Sequence, residues 1–471
     1  MKPKCLILLF ALALPAANAQ ANSPHTQLAR EIFKQLIEIN TTDSVGNVTT
    51  AAEAMAQRFR QAGFPDKDIF VGGANERKKN VVVRLHGSGK HRPVLLIGHL
   101  DVVEARREDW TTDPFRFVEK AGFFYGRGTQ DMKDGDAIMA ATLIHMKREG
   151  YVPDRDVILA LTADEEGGKS NGVDWLLKNR RDLVDAEFVL NHDGGEVQMD
   201  HGKALAFVVD ATEKLYSDYQ VSVTNPGGHS SLPRPDNAIY ELAHALVNLE
   251  QHKFPLELNP VTRAYYERLA TVDHDRAADI KAVLQTPPDE GAADRLSRDP
   301  IDNSRLHTTC VATRLQAGHA NNALPGRAQA VINCRILPGH SKQEIRDELA
   351  KVFADPKIEI RYITNAGQVL EAIPDQRSFA PPPPRPEVFQ AIESVAGKMW
   401  PGIPVFPTMA TGASDGVYTM AAGMPTYGVS GVAMERDDHR EHGRDERVPV
   451  EAFDRGVEFY YQFLKTLTSS H

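Results

Sequence analysis

The segment Pro93-Val-Leu-Leu-Ile-Gly-His-Leu-Asp101 joins a short apolar run to a histidine and an aspartate. Such a run is typical of a strand that is buried on both faces of a sheet. Residues 157–162 and 188–191 have the same character, and residues 134–148 between the first two runs have helical spacing. Strands that alternate with helices predict an α/β domain with a mostly parallel sheet.

Polar side chains follow these predicted strands, or precede the predicted helix, at the points where the elements end. They are His99 and Asp101, Asp131, Glu165 and Glu166, and Asp193. Singly, each has an ordinary explanation as a turn former, a core histidine or a solvated surface pair. Together they predict a carboxylate-rich pocket at the carboxyl edge of the sheet, where α/β proteins bind ligands. Oxygen and imidazole donors without thiolates suit zinc, or manganese or cobalt in its place.

The pattern changes near Lys214. The predicted order from there to residue 363 is β-α-β-β-α-β, typical of a ferredoxin-like α+β unit, with a capping box at Ser341 and Glu344. A polar, helix-like stretch at 255–305 has no assigned role. Pro381 begins a stiff four-proline linker. We therefore predict a discontinuous catalytic domain, residues 20–213 and 381–471, interrupted by a lid at 214–380.

The N-terminus has the pattern of a secretory signal. Lys2 and Lys4 precede an apolar run that is too short to span a bilayer, and Ala17-Asn-Ala19 follows. We expect residues 1–19 to be cleaved near Ala19, with export to the periplasm or the medium and no membrane anchor; a buried N-terminal helix is the alternative. The formal net charge of −10 argues against nucleic acid as a partner.

Two cysteines, Cys310 and Cys334, remain after the predicted signal. A hairpin that turns near Asn322 would bring them roughly opposite each other. One disulfide and two unpaired neighbouring thiols are both compatible with this placement.

The set of motifs, in this order, resembles a family of co-catalytic metallopeptidases. That family includes glutamate carboxypeptidases, aminoacylases, acetylornithine deacetylases, succinyl-diaminopimelate desuccinylases and carnosine-type dipeptidases. The resemblance implies a zinc-exopeptidase catalytic domain with two Zn²⁺ ions. It implies these roles: His99 and Asp193 on one ion, Glu166 on the other, Asp131 bridging both, Glu165 as general base and Asp101 as the carboxylate that orients the histidine.

The last ligand implied by the resemblance is a C-terminal histidine, for which His439 and His442 compete. His442 lies in His-Gly-Arg-Asp-Glu-Arg447, which is similar to the family's motif, so we predict His442 as the ligand. His439 is then expected to be a solvated loop residue.

The lid and the last segment also carry stretches that resemble the family's. Gly227-Gly-His229 resembles the segment whose histidine stabilises the oxyanion, in dimeric relatives by reaching the partner's site. Asn322 and Arg335 resemble lid positions that contact substrate, and a bidentate arginine suits a carboxylate. Gly412 lies in a loop similar to one that holds the substrate's terminal carboxylate. A homodimer through the lid is compatible with these stretches.

Substrate preference is the least constrained part of the prediction. Aspartate at position 193, together with the His442 motif, resembles the dipeptidases and the yeast carboxypeptidase-S type. We predict a hydrolase of short peptides with a free C-terminal carboxylate, and the alternative is an N-acyl amino acid amidohydrolase. Two hypotheses of other classes are a non-catalytic binding protein and a single-metal structural site.

Overall fold

The structure is a computed structural model that describes residues 23–167, 169–375 and 377–469. The predicted signal peptide, residues 1–19, lies outside these residues. Within the described part, no helix has both the length and the apolar character needed to cross a membrane.

The first segment of the chain alternates helices and strands. Its helices are α1 (Pro24–Ile37), α2 (Val48–Gln61), α3 (Lys133–Arg148), α4 (Gly172–Asn179) and α5 (Arg181–Val184). Its strands are β1 (Ile69–Asn75), β2 (Lys78–Leu85), β3 (Val94–His99), β4 (Val118–Lys120), β5 (Phe123–Tyr125), β6 (Val157–Thr162), β7 (Phe188–Asn191), β8 (Glu196–Asp200) and β9 (Lys203–Glu213). The predicted strands 157–162 and 188–191 are confirmed with the same bounds.

The second segment forms a separate sheet and carries most of the short helices. Its strands are β10 (Leu215–Thr224), β11 (Gly228–His229), β12 (Thr309–Ala317), β13 (Ala323–Leu324), β14 (Arg327–Ile336), β15 (Glu359–Ile363) and β16 (Val369–Leu370). Its helices are α6 (Ala238–Gln251), α7 (Pro260–Val272), α8 (Ala277–Val283), α9 (Glu290–Leu296), α10 (Pro300–Leu306) and α11 (Lys342–Phe353).

The third segment returns to the first. Its helices are α12 (Pro386–Met399), α13 (Gly416–Ala421) and α14 (Val450–Leu467), and its strands are β17 (Val405–Ala410), β18 (Thr426–Gly428), β19 (Ala433–Glu435) and β20 (Arg447–Pro449). β18 lies between β7 and β9, so strands from both ends of the chain build one 10-stranded sheet.

The centre of that sheet is parallel, as predicted, and its flanks are mixed. β6, β3, β7 and β18 run parallel in that order, whereas β1, β2 and the β8–β9 pair add antiparallel neighbours. Every residue of β3 and β6 is buried, because helices cover both faces of the sheet. Their apolar side chains separate into two clusters, one on each face.

The smaller sheet has the order β12-β14-β10-β15-β16, and its first four strands have the ferredoxin-like connectivity that the sequence predicts. The predicted capping box is present at the start of α11, where Ser341 and Glu344 bond each other's backbone. Cys310 and Cys334 face each other across β12 and β14 and form a disulfide. The sequence left open whether these two cysteines are paired, and the structure shows that they form a disulfide.

The polar stretch with no assigned role folds as α7 to α10, which we call the helical insertion. These helices bury a small apolar cluster of their own around Tyr266. They also pack against the larger sheet and a helix beside it: the Tyr265 ring lies 5.9 Å from that of Phe406 in β17, and Arg268 forms an ion pair with Glu393 of α12 at 3.0 Å. The helical insertion therefore belongs to the lid in sequence but contacts the catalytic sheet.

Candidate metal centre

Five side chains predicted as ligands converge at the carboxyl edge of the parallel strands. His99 ends β3, Glu166 follows β6, Asp193 follows β7, Asp131 precedes α3, and His442 precedes β20. Parallel strands end at one edge of a sheet, so side chains far apart in sequence meet there.

The distances divide the five residues into two trios that share Asp131. In the first trio, Nε2 of His99 lies 3.0 Å from Oδ1 of Asp131 and 4.0 Å from Oδ2 of Asp193. In the second, Nε2 of His442 lies 2.9 Å from Oδ2 of Asp131 and 3.0 Å from Oε1 of Glu166. Within each trio the candidate ligand atoms all lie within 4.8 Å of one another. One carboxylate oxygen of Asp131 faces each trio, as a bridging ligand requires.

The electrostatics of this centre favour bound cations. Burial, and then the negative charge of Asp131, raise the pKa of Asp193 to about 7. Burial also raises the pKa of Glu165 well above its ordinary value. Hydrogen bonds to Asp131 and Glu166 raise the pKa of His442 to about 10. Carboxylates crowded in this way are stabilised by protons or by metal ions, and the imidazole and oxygen donors fit divalent metals such as zinc.

The backbone carbonyl of Asp101 orients His99, whereas the sequence analysis predicted that the carboxylate of Asp101 would do so. Nδ1 of His99 lies 3.0 Å from the backbone carbonyl oxygen of Asp101 and 3.8 Å from its carboxylate. Because a carbonyl only accepts, Nδ1 carries the proton and Nε2 is left for a metal. The carboxylate of Asp101 instead accepts the backbone N–H groups of Glu165 at 3.1 Å and Glu166 at 3.0 Å. It therefore positions the general-base candidate and its neighbouring ligand.

Glu446 is a positioning residue that the sequence analysis did not single out. It is fully buried, and its Oε1 accepts the N–H groups of Gln130 at 2.7 Å and Asp131 at 3.1 Å, while Oε2 accepts that of Gly128 at 3.0 Å. Its carboxylate thus holds the loop that presents Asp131. The sequence could have indicated this role, because Glu446 belongs to the His442 motif. That motif served only to identify the histidine ligand.

His439 does not join the ligands. Its Nδ1 lies 3.1 Å from Glu441, and its Nε2 lies 3.8 Å from Glu196. The geometry therefore agrees with the choice of His442 over His439.

Two of the cavities that border the metal centre include residues of the loop 410–414 in their linings. The first, of about 830 Å³, is lined by Glu165, Glu166 and Ser414 together with Arg335, and we call it the Arg335 cavity. The second, of about 450 Å³, is lined by Asp131, Asp193 and Gly412 together with Arg305 of α10, and we call it the Arg305 cavity. The structure thus brings Arg335 and Gly412 to the metal centre, but in different cavities.

His229 and Asn322 lie elsewhere on the lid. His229 ends β11 and Asn322 directly precedes β13 in the small ribbon of these two strands, where Ser230 donates its N–H to the carbonyl of Asn322 at 3.0 Å. His229 is exposed, and its Nδ1 lies 2.7 Å from the hydroxyl of Ser231. Neither His229 nor Asn322 lines the Arg335 cavity or the Arg305 cavity. Their roles at the site remain predictions.

Comparison with known proteins gives the same family as these motifs. Residues 95–466 match the family described as peptidase family M20/M25/M40. The chain is 28% identical to the N-fatty-acyl-amino acid synthase/hydrolase PM20D1 of Xenopus tropicalis, over 98% of this chain and 92% of that protein. It is 29% identical to a probable carboxypeptidase S-like 2 of Dictyostelium discoideum, over 79% of this chain and 71% of that protein.

The fold is similar to that of a solved M20 metallo-carboxypeptidase from Sulfolobus solfataricus. The TM-score is 0.66 at 16% identity, and the match covers 93% of this chain and 99% of the other. The family match spans far more than half of the chain and includes both ligand trios. The chain therefore belongs to the M20 family of metallopeptidases and is a hydrolase of that family.

Proposed function

We propose that the protein is a metal-dependent exopeptidase that hydrolyses the amide bond preceding a C-terminal residue in short peptides. The observation that carries this proposal is that Arg335 and Glu165 line one cavity at the metal centre. The guanidinium of Arg335 suits the carboxylate of a substrate, and the carboxylate of Glu165 suits proton transfer at the amide bond.

Arg335 is available to a substrate. Its guanidinium carbon lies 4.7 Å from the centroid of the Tyr216 ring, and among the described residues no carboxylate lies within 4.0 Å of it. A partly buried arginine without an ionic partner is suited to bind a carboxylate in a bidentate manner. The free C-terminal carboxylate of a peptide supplies such a group.

The chemistry at the amide bond follows from the residues around Asp131. Two Zn²⁺ ions held by the two trios, or Co²⁺ or Mn²⁺ in their place, would supply Lewis acidity at the scissile carbonyl. Glu165 takes a proton from the attacking water and returns it to the leaving nitrogen. Asp101 holds the backbone of Glu165 while this proton moves. His229 is proposed to donate to the oxyanion, from a second subunit.

The second candidate function is hydrolysis of N-acyl amino acids. It is favoured by the similarity to PM20D1, a protein named for N-fatty-acyl amino acids, which extends over 98% of this chain. The same water attack and the same carboxylate contact serve both reactions, and only the acyl part of the substrate differs.

A substrate profile of the purified, zinc-loaded enzyme tests the proposal and separates the two candidates. Dipeptides, tripeptides, N-acetyl amino acids and N-acyl amino acids with long chains are compared, each with its C-terminally amidated counterpart. We expect the free peptides to be cleaved fastest and amidation to reduce kcat/KM by about tenfold or more, because it removes the partner of Arg335. Equal rates for free and amidated substrates would contradict the proposal, and a preference for acyl amino acids would select the second candidate.

We also propose that the protein is exported, on the basis of the signal pattern at residues 1–19. The expected result is a purified mature chain that begins near Gln20 when it is recovered from the periplasm or the medium. An intact 52.0 kDa chain in the cytosolic fraction would contradict this proposal.

A further inference from the structure

The Arg305 cavity has no part in the mechanism above, although two metal-ligand candidates line it. Asp131 and Asp193 belong to its lining, and α10 and β17 contribute Arg305 and Met409. Its volume of about 450 Å³ is many times the roughly 30 Å³ that one water molecule occupies. If the amino-acid part of a substrate lies in the Arg335 cavity, the acyl part can extend past the metal centre into this one.

Arg305 is held in place by an aromatic side chain of the same helical insertion. Its guanidinium carbon lies 4.3 Å from the centroid of the Tyr265 ring, and its Nη1 donates to the Tyr265 hydroxyl at 2.9 Å. Tyr265 in turn packs against Phe406 of β17. The cation is therefore preorganised, which lowers the entropic cost of binding a ligand.

Arg305 also lacks an ionic partner. Among the described residues no carboxylate lies within 4.0 Å of its guanidinium, and its Nη2 has no hydrogen-bond acceptor; its Nε also has none but is itself buried. A partly buried arginine in this state has donors left for a planar oxygen anion.

The other charged groups of the cavity, apart from the metal-centre carboxylates and Asp134 beside them, have partners of their own. Glu196 and Glu441 flank His439 at 3.8 Å and 3.1 Å. Asp210 accepts the N–H of Gly195 at 2.9 Å, and the charge of Arg305 attracts its carboxylate through space, without an ion pair within 4.0 Å. Arg305 is therefore the cation of this lining, within the described chain, that is left for a substrate.

A third cavity at the metal centre is lined by Glu166 and His442, and it differs in how available its cations are to a substrate. Both cations of this lining already have partners: Lys78 is paired with Asp43 and Asp164, and Arg77 donates to the backbone carbonyls of Asp43 and Gly46. The third cavity thus offers a less available cation than the Arg305 cavity.

We propose that Arg305 binds a carboxylate on the acyl part of the substrate, so that preferred substrates carry one carboxylate on each side of the scissile amide. This inference rests on the proposed amide hydrolysis and specifies its acyl group. The carboxylate could come from a dicarboxylic acyl group or from the side chain of an acidic N-terminal residue, since both present the same anion to the guanidinium.

The test compares two pairs of substrates that differ only in that carboxylate. One pair is the N-succinyl and N-butanoyl derivatives of whichever amino acid the enzyme releases fastest. The other is the Glu and Gln dipeptides of the same amino acid. We expect the carboxylate-bearing member to have a kcat/KM about tenfold to a hundredfold higher in at least one pair, and the pair that shows it identifies the source of the anion. A ratio near one in both pairs overturns the proposal.

Variants of two arginines on the helical insertion assign the preference to Arg305. Arg305→Met should reduce the ratio to near one, and Arg305→Lys, which keeps the charge without the planar fork, should give an intermediate ratio. Arg298→Met is the matched control, because Arg298 is exposed on the same insertion and does not line the cavity, and it should leave the ratio unchanged. A ratio that survives in folded Arg305→Met overturns the proposal, and thermal unfolding of each variant establishes that it is folded.

Failure of this inference differs from failure of the proposed function. If butanoyl and Gln substrates are cleaved as fast as their acidic counterparts, amide hydrolysis stands and the role of Arg305 is wrong. If no member of either pair is cleaved, both proposals are wrong.

Discussion

Asp131 places one carboxylate oxygen in each of two ligand trios, and this single side chain determines the geometry of the whole centre. Its loop is held by Glu446, and the general-base candidate Glu165 is held through its backbone by Asp101. At the residue scale, the centre thus depends on buried carboxylates that bind backbone N–H groups as much as on those that face the metals.

Substitution of the general-base candidate should separate chemistry from metal binding. Glu165→Gln removes the group that accepts the proton but none of the atoms in the two trios. We expect kcat to fall by about 10²-fold to 10⁴-fold with the metal content unchanged, measured by steady-state kinetics and elemental analysis. Near-normal turnover of the metal-loaded variant would show that another group is the base.

Substitution of the loop-positioning carboxylate should weaken both the fold and the metal site. Glu446→Gln turns an amide donor toward backbone N–H groups and leaves the buried guanidinium of Arg127 without its anionic partner, so we expect a loss of roughly 3–5 kcal/mol in the free energy of unfolding. Denaturant titration and metal affinity measure the two effects. Glu435→Gln is the control, because Glu435 accepts one N–H, that of Gly202, at an exposed site. Equal effects of the two substitutions would contradict the role of Glu446.

At the element scale, the sequence predicted most of what positions the ligands. The strands that lead to His99, Glu165 and Asp193 are short and continuously apolar, which is how strands buried on both faces are recognised. The carboxyl-end rule then placed their polar residues together, and the family resemblance assigned the ligands.

Two features could not be predicted because they depend on distant contacts. The helices α8 to α10 have seven residues each, too few for a clear helical period, and the insertion packs on β17, which lies far along the chain. The contact of His99 with the carbonyl rather than the carboxylate of Asp101 depends on where the loop 165–166 lies, and residue spacing carries no information about that loop.

The disulfide gives a prediction for the lid sheet. It joins the edge strand β12 to β14 across 24 residues, so constraining the unfolded chain should stabilise this sheet by about 3 kcal/mol. We expect a reductant to lower the melting temperature of the wild type, and the double variant Cys310→Ser, Cys334→Ala to be unaffected by it. A free-thiol titration of the denatured mature chain that found two reactive thiols would contradict the pairing.

At the scale of the whole molecule, one edge of the lid is suited to association with a second copy. Seven of the nine residues of β12 are exposed, including the apolar Val311 and Leu315. Such an edge is a template for strand pairing unless it is protected. His229 also lines none of the three cavities described at the metal centre of its own chain, which is consistent with action in a partner's site.

We therefore predict a homodimer through the lid domain. Light scattering after size-exclusion chromatography should give twice the mass of the mature chain. Leu315→Asp should shift the species toward the monomer because it places a charge on the pairing edge. A monomer at every concentration tested, with full activity, would contradict both the dimer and the role of His229 from a second subunit.

The central claim is a two-metal centre bridged by Asp131, and metal stoichiometry tests it most directly. Elemental analysis of the zinc-loaded protein should give two ions per chain in the wild type. Asp131→Ala removes an oxygen from both trios at once and should lower the occupancy of both sites. One tightly held ion per chain in the wild type, unaffected by Asp131→Ala, would contradict the account.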